Sequence, residues 1–175
     1  MSFIRTLSLS LILISWCLPG FVLGDGNDKI RIGVYDSRAI AIAFAPSKYN
    51  PVKEKMKKYQ QAKADGDKKK MKELEEWGKK HQRQLHRQGF SIVPVDDLLE
   101  HVKDQMDDVA KKVNVVVIVR KCDFVGNNVE IVDVTDQLVE LFNPSEKTLK
   151  FVRSIKDKPG VDLDEVEKHN KKDDF

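Results

Sequence analysis

Residues 47–89 hold 14 Lys+Arg against 6 Asp+Glu and too little apolar surface to build a core of their own. A stretch this charged folds as a solvated helix whose narrow apolar stripe rests on something else. Asn50-Pro51 supplies an N-cap and a Pro at the first helical position, and Val52, Met56 and Tyr59 follow at helical spacing. Asp65-Gly66-Asp67 is the natural reversal. On the return arm Met71, Leu74, Gly78, His81, Leu85 and Gln88 keep a 3–4 spacing, although half of them are poor core residues. The segment therefore predicts a coiled-coil-like helical hairpin with a thin seam and a net charge of +8. Arms of about 15–22 residues would project roughly 22–33 Å at about 1.5 Å per residue.

The flanking sequence supplies what the hairpin lacks. Residues 29–36 alternate, with Ile30, Ile32 and Val34 on one face, and read as a strand ending at Asp36. Residues 38–45 read as a short helix stopped by Pro46. Gln88-Gly89 and Pro94 interrupt the second arm, and Asp96 is expected to cap a helix with Leu98, Leu99, Val102, Met106, Val109, Ala110 and Val113 on its apolar face. The five β-branched residues at 115–119 predict a strand buried on both faces. Residues 123–128 form a turn, residues 129–134 a further strand, and Thr135 caps a short helix carrying Leu138, Leu141 and Phe142. Beyond Asn143-Pro144, residues 144–175 read as a helical, acidic C-terminal extension, a peripheral arm with a frayed end. Residues 90–175 carry 13 basic and 19 acidic side chains, so the whole-chain charge of +3 is a cancellation between a basic hairpin and an acidic C-terminal half.

Residues 1–24 have the order of a secretory signal peptide: Arg5, an apolar run from Leu7 to Leu18, Pro19-Gly20, and small residues before Asp25. The run is short for a membrane span, which needs about 20 apolar residues. The expected compartment is the periplasm after cleavage. Cys17 leaves with the signal, so Cys122 would be the lone thiol of the exported chain. With 41% hydrophobic and 34% charged residues, the chain is too apolar for a disordered protein and too charged for an integral membrane one.

Catalytic and metal motifs do not emerge. His81 and His86 lie five apart, about 140° around a helix, and His101 and His169 are isolated, so no metal or cofactor is expected. Asp36 reads as a helix-capping acid; a hydrolase would need a second acid or base beside it. The hairpin is the plausible functional region. Its cations Lys57, Lys58, Lys68, Lys69, Lys70, Lys79 and Lys80 interleave with Met56, Tyr59 and Trp77, a combination that attracts a partner at long range and holds it by adaptable apolar contacts. Export disfavours nucleic acid, leaving acidic protein surfaces or an anionic lipid surface.

The order of parts resembles the Skp/OmpH family of periplasmic chaperones. The resemblance rests on Ile32-Gly33-Val34-Tyr35-Asp36 at the first strand, on residues 98–119 for the return helix and Val-rich strand, and on Val132-Asp133-Val134-Thr135 with Leu138 and Leu141 at the close. It covers about residues 29–143; the hairpin is shorter than the family's, and residues 144–175 extend beyond the family's end. It implies a trimer whose strands form a shared β-body and whose arms surround a cavity for unfolded outer-membrane proteins, with no catalytic residues to carry over. Residues Ile32, Val34, Val115, Val117, Val119 and Ile131 would form that body.

The expected fold is α+β, a small β-body with a projecting coiled-coil-like helical hairpin at 47–89 within a Skp/OmpH-like domain at 25–143. The expected function is a non-enzymatic holdase for unfolded outer-membrane or envelope proteins. The alternative is a structural oligomeric envelope module without holdase activity.

Overall fold

The computed structural model describes residues 29–172. The signal-peptide reading of residues 1–24 and Cys17 lies outside the described residues. The architecture is mixed α+β, with a three-stranded parallel sheet and a helical layer.

The first strand, β1 (Ile30–Val34), leads directly into α1 (Ser37–Phe44). The Asp36 carboxylate caps α1 by accepting from the Arg38 amide at 2.9 Å, which matches its expected role. Small and apolar residues all round α1 allow neighbours on several sides. Ser37, Arg38, Ala39, Ile40, Ala41, Ala43 and Phe44 are all buried, so this short helix is the centre of the core.

The charged segment forms α2 (Val52–Ala64) and α3 (Lys68–Phe90), reversed at Asp65-Gly66-Asp67. Gly66 takes the left-handed conformation the reversal needs (φ 71°), and Asp67 caps α3 through the Lys70 amide. The start of α2 is one residue later than expected: Pro51 holds the cap position rather than the first helical one, while Asn50, just before it, accepts from the Val52 amide at 3.2 Å. The expected interruption at Gln88-Gly89 does not occur: Gly89 lies within α3, and Gln88 is buried, donating to Asp97 Oδ1 at 2.7 Å. The helix ends instead at Ser91. Its C-terminal half packs against α1, so the second arm lies on the body for part of its length.

The expected single helix from Asp96 is three pieces, α4 (Asp96–Leu99), a 3₁₀ segment (Glu100–Gln105) and α5 (Met106–Val113). The tighter middle segment buries Val102 and carries the His101 ring onto Phe44 and Tyr49, with centroids 5.5 Å away in each case. Asp96 is the first residue of α4 rather than its side-chain cap, since Val95 holds the cap position. Asn114 closes α5 in the left-handed region (φ 53°).

The sheet order is β2-β1-β3, with β2 (Val117–Val119) and β3 (Val129–Asp133) both parallel to β1. Its register sorts the side chains into two faces. Ile32 pairs with Val117 and Ile131, and Val34 with Val119 and Asp133, so Ile30, Ile32, Val34, Val117, Val119, Val129 and Ile131 share one face. On the other, Ile118 and Val132 flank Gly33 and pack toward the helices. A Cβ on Gly33 would sit 3.1 Å from Val134 and 3.3 Å from Ile118.

The expectation that residues 115–119 are buried on both faces is therefore corrected. Val115 is buried, but Val116, which precedes the strand, is 75% exposed, and Val117 is 41% exposed because β2 is a three-residue edge strand on a sheet with one covered face.

Beyond β3 come α6 (Thr135–Glu140), α7 (Glu146–Ile155) and α8 (Leu163–Lys172). Thr135 is inside α6 rather than outside it, and Asp133 Oδ1 accepts from its amide at 2.9 Å. The C-terminal segment is less peripheral than expected. Helix α7 packs on α1 and buries Val152 in the main core, while α8 packs along α3 and buries Val166 and Asn170. The acidic end thus meets the basic arm, with Arg87–Glu167 at 3.3 Å and His86 Nδ1 2.9 Å from Asn170 Oδ1.

Candidate functional site

The two arms and the body enclose an apolar groove of about 620 Å³. Helix α2 contributes Val52, Lys55, Met56 and Tyr59; α3 contributes Leu74, Glu75, Trp77, Gly78, His81, Gln82, Leu85, His86, Gly89 and Phe90; α1 contributes Ala41 and Ile42, with Ala45 just beyond its end, and α7 contributes Phe151. Met56, Phe90 and Phe151 are exposed large apolar side chains. Contacts along the groove hold the arms to each other and to the body. Ala62 and Leu74 are buried near the reversal, the Tyr59 hydroxyl donates to Glu75 Oε1 at 2.8 Å, and Leu85 packs onto the core.

Several of the polar groups in and beside the groove engage one another. Lys55 Nζ lies 5.2 Å from the centroid of the Trp77 ring, and His81 stacks on that ring at 4.8 Å. Asn50 donates through Nδ2 to the Ala45 carbonyl at 2.7 Å, which orients its Oδ1 as the acceptor for His81 Nε2–H at 3.0 Å. Burial pushes the His81 imidazole below its ordinary value, against a smaller upward pull from Asp97. Hydrogen bonding to Glu75 raises the Tyr59 phenol.

Of the ten hairpin residues singled out from sequence, the structure brings three into the groove: Met56, Tyr59 and Trp77. The seven lysines, Lys57, Lys58, Lys68, Lys69, Lys70, Lys79 and Lys80, are exposed and outside its lining. Lys58 pairs with Glu54 at 2.5 Å and Lys70 with Glu73 at 3.0 Å. Apolar anchors and cations are thus on different faces of the same helices. Lys55, Phe90 and Phe151 were missed, and Leu85 was placed only in the seam of the second arm; Lys55 and Leu85 keep helical spacing with Tyr59 and His81, but nothing local links Phe151 to the hairpin.

A second crevice, of about 610 Å³, opens at the carboxyl ends of β1 and β3, where parallel sheets commonly bind ligands. Asp36 and Asp133 both line it. Each is already engaged. Arg38 Nη2 donates to Asp36 Oδ2 at 2.6 Å, and its Nε lies 3.0 and 3.2 Å from the two oxygens. Asp133 accepts from the Thr135 amide and pairs with Lys156 at 3.1 Å. Among the described residues, no group of three or more His, Cys, Asp or Glu is placed to hold a metal ion, and no helix is long and apolar enough to cross a membrane.

Of the six β-body residues, Ile32, Val34, Val117, Val119 and Ile131 share the outer sheet face, whereas Val115 is buried and precedes β2. Cys122 is a free, half-buried thiol. Comparison with known proteins finds no matching family model, curated protein or solved structure.

Proposed function

We propose that the chain is an exported, non-enzymatic holdase of the Skp/OmpH kind, acting in the periplasm on unfolded outer-membrane or envelope proteins. The observation that carries this reading is the groove between the arms and the body. It is apolar, open to solvent and lined by adaptable Met56 and aromatic Tyr59, Trp77 and Phe90, while the surrounding helical segment carries a net charge of +8. Charge speeds encounter with acidic or mixed clients, and burial of their apolar segments holds them. Exposed lysines also suit an anionic lipid surface.

The test is aggregation of a urea-denatured outer-membrane protein diluted into buffer with the purified protein. Suppression is expected, weaker in high salt and much reduced by Met56→Asp or Trp77→Ala. No suppression at stoichiometric excess defeats the reading.

A second reading, a structural oligomeric envelope module without holdase activity, is favoured by the outer sheet face. All-parallel sheets normally have both faces covered, yet Ile30 is 49% exposed and Ile131 38%. Self-association through this face, as a trimer if the family resemblance holds, would cover it. A stable oligomer with no effect on clients, unchanged when Lys68, Lys69 and Lys70 become Gln, would select this reading.

A further inference from the structure

A different face of α3 from the one lining the groove forms one wall of a crevice of about 510 Å³, bounded by the Val93-Pro94 stretch and by Glu167 of α8. Its charges do not balance: Lys80, Arg83 and Arg87 stand against the single carboxylate of Glu167. Cations at i, i+3 and i+7 of a helix repel one another, and an anion among them relieves the repulsion. Arg87 shows the kind of anion that fits, since it already holds the Glu167 carboxylate at 3.3 Å.

A buried acceptor lies beside these cations. Gln88 also lines the crevice and is only 4% exposed. Its Nε2 donates to Asp97 Oδ1 at 2.7 Å and to the Pro94 carbonyl at 3.4 Å, which fixes the amide and leaves Oε1 buried without a partner. A buried carbonyl oxygen without a donor is costly, and an N–H group satisfies it. Asp97 stands behind the glutamines, with Gln84 Nε2 donating to its Oδ2 at 2.7 Å, and the crevice keeps a positive balance even with Asp97 counted.

We infer that this crevice binds the C-terminal end of a polypeptide. The terminal carboxylate lies between Arg83 and Arg87, with Lys80 one turn further along; the last backbone N–H donates to Gln88 Oε1; and an apolar last side chain rests on Val93 and Pro94. A chain end carries a carboxylate, an N–H and a side chain on one residue, so it answers the cations, the acceptor and the apolar wall together. Inorganic phosphate supplies the charge but has nothing for Val93 and Pro94. The crevice shares no lining residue with the groove, so this site stands apart from the holdase reading.

Four probes test it: an acetylated tetrapeptide ending in a free valine carboxylate, the same peptide amidated, its ester analogue with oxygen in place of the last N–H, and inorganic phosphate. Each is titrated into the isotope-labelled full chain and followed by amide chemical shifts. The free acid should give saturable shifts within residues 80–94. Binding should be at least tenfold weaker for the amide, which lacks the charge, and about fivefold weaker for the ester, which lacks one neutral hydrogen bond. Phosphate should bind at least fivefold more weakly than the free acid. Lys80→Gln and Arg83→Gln, both at exposed positions, should each weaken the free acid at least threefold and leave the melting temperature within about 3 °C.

Amide or ester binding as tightly as the acid, phosphate matching it, or unchanged affinity in both variants each overturns the inference. So does the absence of a saturable shift up to about 5 mM peptide, a range in which a Kd of about 1 mM is visible.

Discussion

The rings of Trp77 and His81, one turn apart on α3, stack with centroids 4.8 Å apart and 15° between their planes, and His81 Nε2 reaches Asn50 Oδ1 at 3.0 Å. One imidazole thus joins the middle of the second arm to the residue that opens the first. The stack forms part of the groove wall and places a titrating group against the only tryptophan of the described residues.

Stability should fall on mild acidification through His81. Burial holds its imidazole below the ordinary 6.5, so the unfolded chain takes up the proton first. Its support of the fold is complete above pH 6.5 and is withdrawn as pH drops from there through the lower folded value. The melting temperature should decline between pH 7.5 and 5.5, with Trp77 emission changing over the same range. In His81→Gln the decline should be smaller, and an identical decline would remove His81 as its source.

Arg38→Met should be among the most damaging single changes at a polar position. The guanidinium is buried, grips Asp36 through two nitrogens and donates to the Ile155 carbonyl at 3.3 Å, linking the start of α1 to the end of α7. Removing it strands a half-buried carboxylate, a loss of about 3 kcal/mol. Urea unfolding should show the shift in midpoint, and a change below about 1 kcal/mol would mean that solvent replaces the guanidinium.

The Asp133–Lys156 pair should steepen both limbs of the pH–stability profile. Burial pushes the Asp133 carboxyl up, but hydrogen bonds from Thr135 and Lys156 outweigh it and hold the group below its ordinary 3.8. The Asp133 contribution is present above pH 3.8 and is lost as pH falls through the lowered value. The hydrogen bond to Asp133 raises the Lys156 ammonium above 10.5, so its contribution is present below that pH and lost as pH rises through the raised value. Lys156→Met should flatten the alkaline limb and weaken the acid one, with small amplitudes because Lys156 is exposed.

Charging the outer sheet face separates oligomerisation from folding. Val117 and Ile131 flank Ile32 in register, and both project from the open face. If copies of the chain cover that face, Val117→Lys and Ile131→Lys should lower the native mass to that of a monomer without changing the far-ultraviolet dichroism. A native mass already monomeric in the unsubstituted protein would rule out that covering.

Much of the local structure was legible in the residues because it depends on near neighbours. Asp36 capping α1, the Asp65-Gly66-Asp67 reversal and the β1 alternation are decided within a few residues of chain. Expectations failed where a distant group intervened. Gln88 stays helical because Asp97 accepts its side-chain amide, and His101 sits in a 3₁₀ segment against Phe44 and Tyr49. Of the groove, the sequence pointed to Met56, Tyr59 and Trp77 but joined them to lysines that share the segment without sharing the face. Phe151, 61 residues beyond Phe90, had no local signal at all.

By itself, then, the sequence determined the order of the helical and strand regions though not all their breaks, where the hairpin reverses, and how charge is divided along the chain, since periodicity, capping and turn chemistry act over a few residues. Only the tertiary structure decided which of those surfaces are covered. Strand order made residues 117–119 an edge rather than a centre, turned Ile32 and Ile131 outward, drew α7 into the core and opened a groove between the arms. Burial belongs to the neighbours an element acquires, and those neighbours come from elsewhere in the chain.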